Sequence, residues 1–244
     1  MVRAFVLGKL RRSGAILWGV RRKCDKILVR VLLPLYCKTR PQNLDLKRLG
    51  TGAGAWIVPV NLLCKNSNCY CVGVGANVSF DIALVEEFGC NVYSFDPTPS
   101  SIDYMNRLHY DREHLKFLPI GVWDEDTELR FYAPADPKGC HSVYDLHGTG
   151  KYFMAKVRKI SSIMKDFGHN RIDLLKLDIE GAWQRVVQNI TSENLDISIL
   201  CVELDSPTSL FRALKLIRTL KGAGFALVHF EKDNYVFVRE SLVC

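Results

Sequence analysis

Three short runs place small residues or carboxylates where a strand hands over to a helix. The first, Cys71-Val72-Gly73-Val74-Gly75-Ala76-Asn77, offers a turn through which backbone can approach a ligand closely. The second ends in Phe95-Asp96-Pro97, and Asp96 stands 21 residues after Gly75. A carboxylate at such a strand tip can accept hydrogen bonds from both hydroxyls of a ribose. The third, Leu177-Asp178-Ile179-Glu180-Gly181, presents two carboxylates and a glycine before a helix. Acids there also suit the helix dipole, so capping is the plain alternative to chemistry for Asp178 and Glu180.

The glycine pattern separates two classes of ribose-bearing ligand. In a dinucleotide fingerprint the third small position would fall on Val78, where packing around a pyrophosphate calls for Gly or Ala. S-adenosylmethionine has no pyrophosphate and tolerates G-x-G-x-N, so the spacing favours this cofactor over NAD. Its methyl group is already electrophilic, which leaves the protein to align an acceptor and exclude water. An alcohol acceptor also needs a proton acceptor. Glu180 is the first candidate, followed by Asp178, His141 and Glu203. A solvated loop histidine is the competing explanation for His141, and a cap or salt bridge for Glu203. Asp178, Glu180 and Glu203 could instead ligate Mg²⁺, but nothing in their spacing demands it, and no metal is expected.

These tips must be positioned by alternating elements. Short β-rich apolar runs at 70–74, 91–95, 115–120, 172–177 and 197–204 are separated by helical stretches at 80–88, 99–108, 182–189 and 209–223. That rhythm predicts a parallel sheet with crossover helices. Short strands at 128–132 and 155–159 flank a Gly/Pro/His-rich loop, 133–150, whose length marks it as functional or mobile. Runs at 225–230 and 235–239 predict a closing antiparallel hairpin. Before all of this, apolar residues from Leu17 to Leu35 recur at helical spacing between basic ones.

Of 244 residues, 33 are Lys or Arg and 26 Asp or Glu, a net charge of +7. Residues 1–48 hold 13 basic and 2 acidic side chains, so they carry +11 and residues 49–244 carry −4. The expected organisation is therefore a basic amphipathic helical segment, 1–48, joined to a cofactor-binding domain, 49–244. A segment of this kind suits contact with an anionic membrane through residues 1–40, or a helix packed on the body with its basic side solvated. No nucleic-acid partner is expected, because the segment lacks interleaved aromatics for base stacking. No stretch reaches the roughly 18 apolar residues of a spanning helix. Nine cysteines without an evident signal peptide point to reduced thiols and a cytoplasmic setting. Cys64, Cys69 and Cys71 lack the paired spacing of a zinc site.

The segments 70–81, 93–100, 120–124 and 172–181, the last with its LLKLDIEGA core, together resemble the FkbM-type S-adenosylmethionine-dependent methyltransferases. The resemblance extends from about Gly54 to Arg239, with the segments in the family's order. It implies an α/β, Rossmann-like class I methyltransferase fold with a mostly parallel seven-stranded sheet, a C-terminal antiparallel hairpin and an N-terminal helical segment. It further implies that Gly73, Val74, Gly75 and Asn77 lie at the cofactor's amino-acid end, Asp96 and Pro97 at its ribose, Gly121 and Val122 near its adenine, and Asp178 beside it. The family's association with O-methylation implies an acceptor hydroxyl on a carbohydrate, a glycolipid or lipid-linked molecule, or another small metabolite. Departures at Ala76-Asn77 and Trp183, where relatives often carry acids, leave a noncatalytic binding module of the same fold as the alternative, and an NAD-dependent oxidoreductase behind it.

Overall fold

The strands that build the centre of the molecule are apolar on both faces, as strands must be when helices cover a sheet on both sides. In β3 (Asn68–Val72), Cys69 and Cys71 point to one layer and Tyr70 and Val72 to the other, and all four are buried. The same double burial holds in β4 (Asn91–Phe95), β9 (Ile172–Leu177) and β10 (Ile197–Glu203). This computed structural model describes residues 31–33, 43–136, 139–179, 181–204 and 209–243. Most of the 17–35 helix and of the 1–40 membrane contact expected from the sequence falls outside those residues. Leu33 is fully buried in one of the two layers.

Seven strands form the main sheet in the order β11-β12-β10-β9-β3-β4-β5, with β5 spanning Leu115–Leu118. Pairing is parallel from β10 through β9, β3 and β4 to β5. β11 (Phe225–Glu231) and β12 (Asn234–Arg239) pair antiparallel, and β12 pairs antiparallel with β10. On one face pack α1 (Ser79–Phe88) and α2 (Pro99–Arg107), with a two-stranded ribbon of β1 (Leu46–Leu49) and β2 (Trp56–Pro59). On the other lie α3 (Ile160–Phe167), α4 (Trp183–Ser192) and α5 (Leu210–Gly222). The chain runs outward from β3 through β4 to β5, then returns to lay β9 on the opposite side of β3. Such a reversal opens a crevice at the carboxyl ends of the strands.

A separate three-stranded sheet, β6-β8-β7, lies beyond that edge: β6 (Gly121–Val122) pairs parallel with β8 (Tyr152–Arg158), which pairs antiparallel with β7 (Thr127–Tyr132). The loop between β7 and β8 is anchored. Tyr132 and Ser142 exchange backbone hydrogen bonds, and Tyr144 packs against Trp123 and over Gly181. Trp183 is buried among α4's core residues, which accounts for an aromatic at this helix start. Among the described residues, no helix is long and apolar enough to cross a membrane.

Candidate functional site

A cavity of about 460 Å³ lies at the carboxyl ends of β3, β4 and β9, within the range of small-molecule pockets. Its floor is the turn after β3 and the first residues after β9. Its side is formed by Asp96, Thr98 and Ser101, and residues 139–143 of the anchored loop cover it together with Phe131.

Asp96 organises one wall. Its Oδ2 accepts hydrogen bonds from the N–H groups of Val74 and Gly75, both at 3.0 Å, with the Ser101 hydroxyl at 2.9 Å. Its Oδ1 accepts from Thr98 N–H at 2.8 Å and the Thr98 hydroxyl at 2.6 Å. Three backbone donors and two hydroxyls thus converge on one buried carboxylate, which is 7% exposed. The donors tie the glycine turn after β3 to the first turn of α2. A ribose hydroxyl would have to share or replace donors that Asp96 already holds.

The floor depends on glycine at position 73. Gly73 has φ +90°, and a Cβ there would fall 1.9 Å from the carbonyl oxygen of Asp178. Gly73 N–H donates to the Phe95 carbonyl and Asp178 N–H to the Val72 carbonyl, so backbone bonds close the three strand tips on one another. Gly75, at φ +55°, has open space where its Cβ would stand. Beneath the floor lies Lys176, whose ammonium donates to the Gly73 carbonyl and pairs with Asp178.

His141 reaches the cavity from the loop, with its ring edge-on to Phe153. Burial lowers its pKa below the usual histidine value, against the opposing pull of Asp96. The imidazole is therefore neutral at neutral pH and able to accept a proton. Burial pushes the Cys71 and Cys201 thiols up, which makes them inert core groups. Cys64, Cys69, Cys71, Cys90 and Cys201 are free thiols. Among the described residues, no group of three His, Cys, Asp or Glu side chains is placed to hold a metal ion.

Gly73, Val74, Gly75, Asp96, Pro97, Gly121, Val122, His141 and Asp178, all expected at the site, line this one cavity. Two expected residues do not line it. The Asn77 side-chain amide donates to the Thr51 carbonyl and accepts from Ser79 N–H, so it caps α1 and tethers the segment before β2. Glu203 ends β10, which β9 separates from the β3 tip. Glu180 lies outside the described residues. Among the lining residues that the sequence does not point to are Thr98, Ser101 and Phe131. The stretch around His141 is signalled by the length of the loop.

The methyltransferase FkbM domain model matches residues 73–227. The chain is 26% identical over 185 residues to the human "Probable methyltransferase-like protein 24", a match covering 69% of this chain and 44% of the relative. The rat protein of the same name is 25% identical over 183 residues, with the same coverages. The matched region therefore spans less than half the length of these curated relatives. Among solved structures, the Methanococcus jannaschii fibrillarin pre-rRNA processing protein overlays with a TM-score of 0.42 at 10% identity, covering 83% of this chain and 85% of that one.

Proposed function

The chain belongs to the FkbM methyltransferase family, and from that premise we propose that it is an S-adenosylmethionine-dependent O-methyltransferase of Rossmann-like class I fold. The proposed acceptor is a hydroxyl of a carbohydrate, a glycolipid or another small metabolite. One observation carries the cofactor reading: the Val74 and Gly75 amides turn inward to Asp96 instead of facing the cavity as free donors. A dinucleotide needs such amides for its pyrophosphate. Here they are engaged by a carboxylate, and Asp178 adds a second acid to the wall. A cavity with two acids, whose Val74 and Gly75 amides are already engaged, disfavours a pyrophosphate and suits a cofactor bearing an amino group and a sulfonium. The open space above Gly75 leaves room for such a ligand.

When bound, the cofactor supplies an electrophilic methyl group. The chain's own residues then have three tasks. The glycine turn and Asp96 hold the ligand in place, residues 139–143 and Phe131 keep water from the cavity, and His141 accepts the proton from the acceptor hydroxyl. Glu180 and Asp178 remain proposed as alternative proton acceptors. The +11 charge of residues 1–48 supports a separate part of the proposal, contact of that segment with an anionic membrane from the cytoplasmic side.

The test is transfer of a labelled methyl group to fractionated hydroxyl-bearing extract, followed across pH. Because burial lowers the His141 pKa, the base is neutral above a midpoint below about 6.5. Transfer is expected to rise through that midpoint and level off near neutrality. His141→Asn is expected to lower the plateau about 100-fold and abolish the rise. An unchanged profile in His141→Asn would remove histidine from the role and turn attention to Glu180 and Asp178. Cofactor binding without transfer to any hydroxyl acceptor would mark a binding module of the same fold.

A further inference from the structure

Lys176 sits in the middle of the sheet, opposite Cys71 of β3 and Cys201 of β10, and is 4% exposed. A lysine is costly in such a place, and an aliphatic side chain could fill the same volume without a charge to bury. Burial opposes its ammonium, but the carboxylates of Asp178 and Asp81 outweigh that penalty and hold its pKa above the usual lysine range. The charge is directed at two points. Nζ lies 2.9 Å from the Gly73 carbonyl oxygen and 3.2 Å from Asp178 Oδ2. Gly73 and Asp178 are the residues whose backbones meet beneath the cavity, and both line it.

We propose that Lys176 is a positioning residue of the cofactor site, whose ammonium fixes the Gly73 carbonyl and the Asp178 carboxylate in one arrangement and so presets the cavity floor. The proposal rests on the cofactor reading above, but the holding itself is a property of the chain without ligand. The peptide that carries the Gly73 carbonyl, set at φ +90°, is held at one end by this ammonium on its oxygen and at the other by Asp96, which accepts from Val74 N–H. Asp178, one-third exposed, could otherwise swing toward solvent.

Removing Lys176 alone leaves Asp81 and Asp178 without their cation, and buried Asp81 would destabilise the fold for reasons unrelated to the site. The informative variant is therefore Lys176→Met/Asp81→Asn, with Asp81→Asn as its reference. S-adenosylhomocysteine is the probe, because its sulfur is neutral and its binding does not respond to a sulfonium charge. The double variant is expected to melt cooperatively, close to its reference. Amide exchange at Gly73, Val74 and Gly75 is expected to rise about tenfold or more, with the interior of β3 and β9 still protected. Calorimetric affinity for the probe is expected to fall about 30- to 100-fold, the scale of a misplaced binding group. Exchange and affinity both within about threefold of the reference would overturn the proposal and leave Lys176 a structural charge. If the unsubstituted protein binds neither S-adenosylmethionine nor the probe, the cofactor reading fails; the exchange comparison still decides whether Lys176 holds the turn.

Discussion

Gly73→Ala is expected to lose cofactor binding altogether and to lower the melting temperature by about 10 °C. A methyl group at this position would lie 1.9 Å from one backbone atom of Asp178 and 2.9 Å from another. Neither atom can rotate away as a side chain could, so the tips of β3 and β9 must separate. Alanine at a left-handed φ costs about 1–2 kcal/mol, and forced backbone displacement in a packed region about 1–3 kcal/mol more. The sum, about 2–5 kcal/mol, falls on the two segments that form the cavity floor. Gly75→Ala is the matched control: it also has a positive φ, but nothing stands within 4 Å of its Cβ. It is expected to pay only the conformational term, about 1–2 kcal/mol. Equal melting temperatures for the two variants, read by differential scanning calorimetry, would show that the Asp178 contact is not what requires glycine at position 73.

Asp96→Asn is expected to weaken cofactor affinity about 1000-fold and to destabilise the protein by about 3–4 kcal/mol. Asparagine keeps one acceptor oxygen and turns an NH₂ group toward donors. If the oxygen serves Val74 and Gly75, the amide faces Thr98 N–H; if it serves Thr98, the amide faces the two turn amides. Either way at least one buried N–H loses its acceptor, at about 1–3 kcal/mol each. Ser101→Ala removes one hydroxyl from the same carboxylate and should cost far less, because both backbone donors to Oδ2 remain. Urea denaturation of the pair checks the order. A larger loss in Ser101→Ala than in Asp96→Asn would mean that the hydroxyls, not the turn amides, define the wall.

What the sequence revealed about the site follows from how local each feature is. The glycine turn, Asp96 and Asp178 were readable because each belongs to a strand–turn–helix unit whose geometry a short run of residues dictates. The apolar run predicts a strand to Val74, but the left-handed Gly73 ends it two residues earlier, at Val72. The family resemblance places Asn77 at the cofactor, yet a side-chain amide two residues before Ser79 is also well placed to accept the first N–H of a helix, and it does so. Glu203 was assigned to the site because it ends a parallel strand. Strand order, which a linear chain does not declare, puts β9 between it and the β3 tip. Ser101 and Phe131 come from separate elements that meet only in the folded molecule. Lys176 carries a signal of its own in the sequence: a lysine inside Leu174-Leu175-Lys176-Leu177 breaks an otherwise apolar central strand, and a charge in such a run needs an ion partner and a carbonyl to accept from it. α3 is absent from the helices expected above, although Ile160, Ile163, Met164 and Phe167 recur at helical spacing within it.

Asp96 engages the Val74 and Gly75 amides and the cavity walls carry two acids, the chemistry on which the proposed preference for a sulfonium cofactor over a pyrophosphate depends. Isothermal titration of the full chain with S-adenosylmethionine, S-adenosylhomocysteine and NAD tests it most directly. Saturable one-to-one binding of the first two, with no heat from NAD, is the result predicted. Binding of NAD alone, or of none of the three, would contradict it.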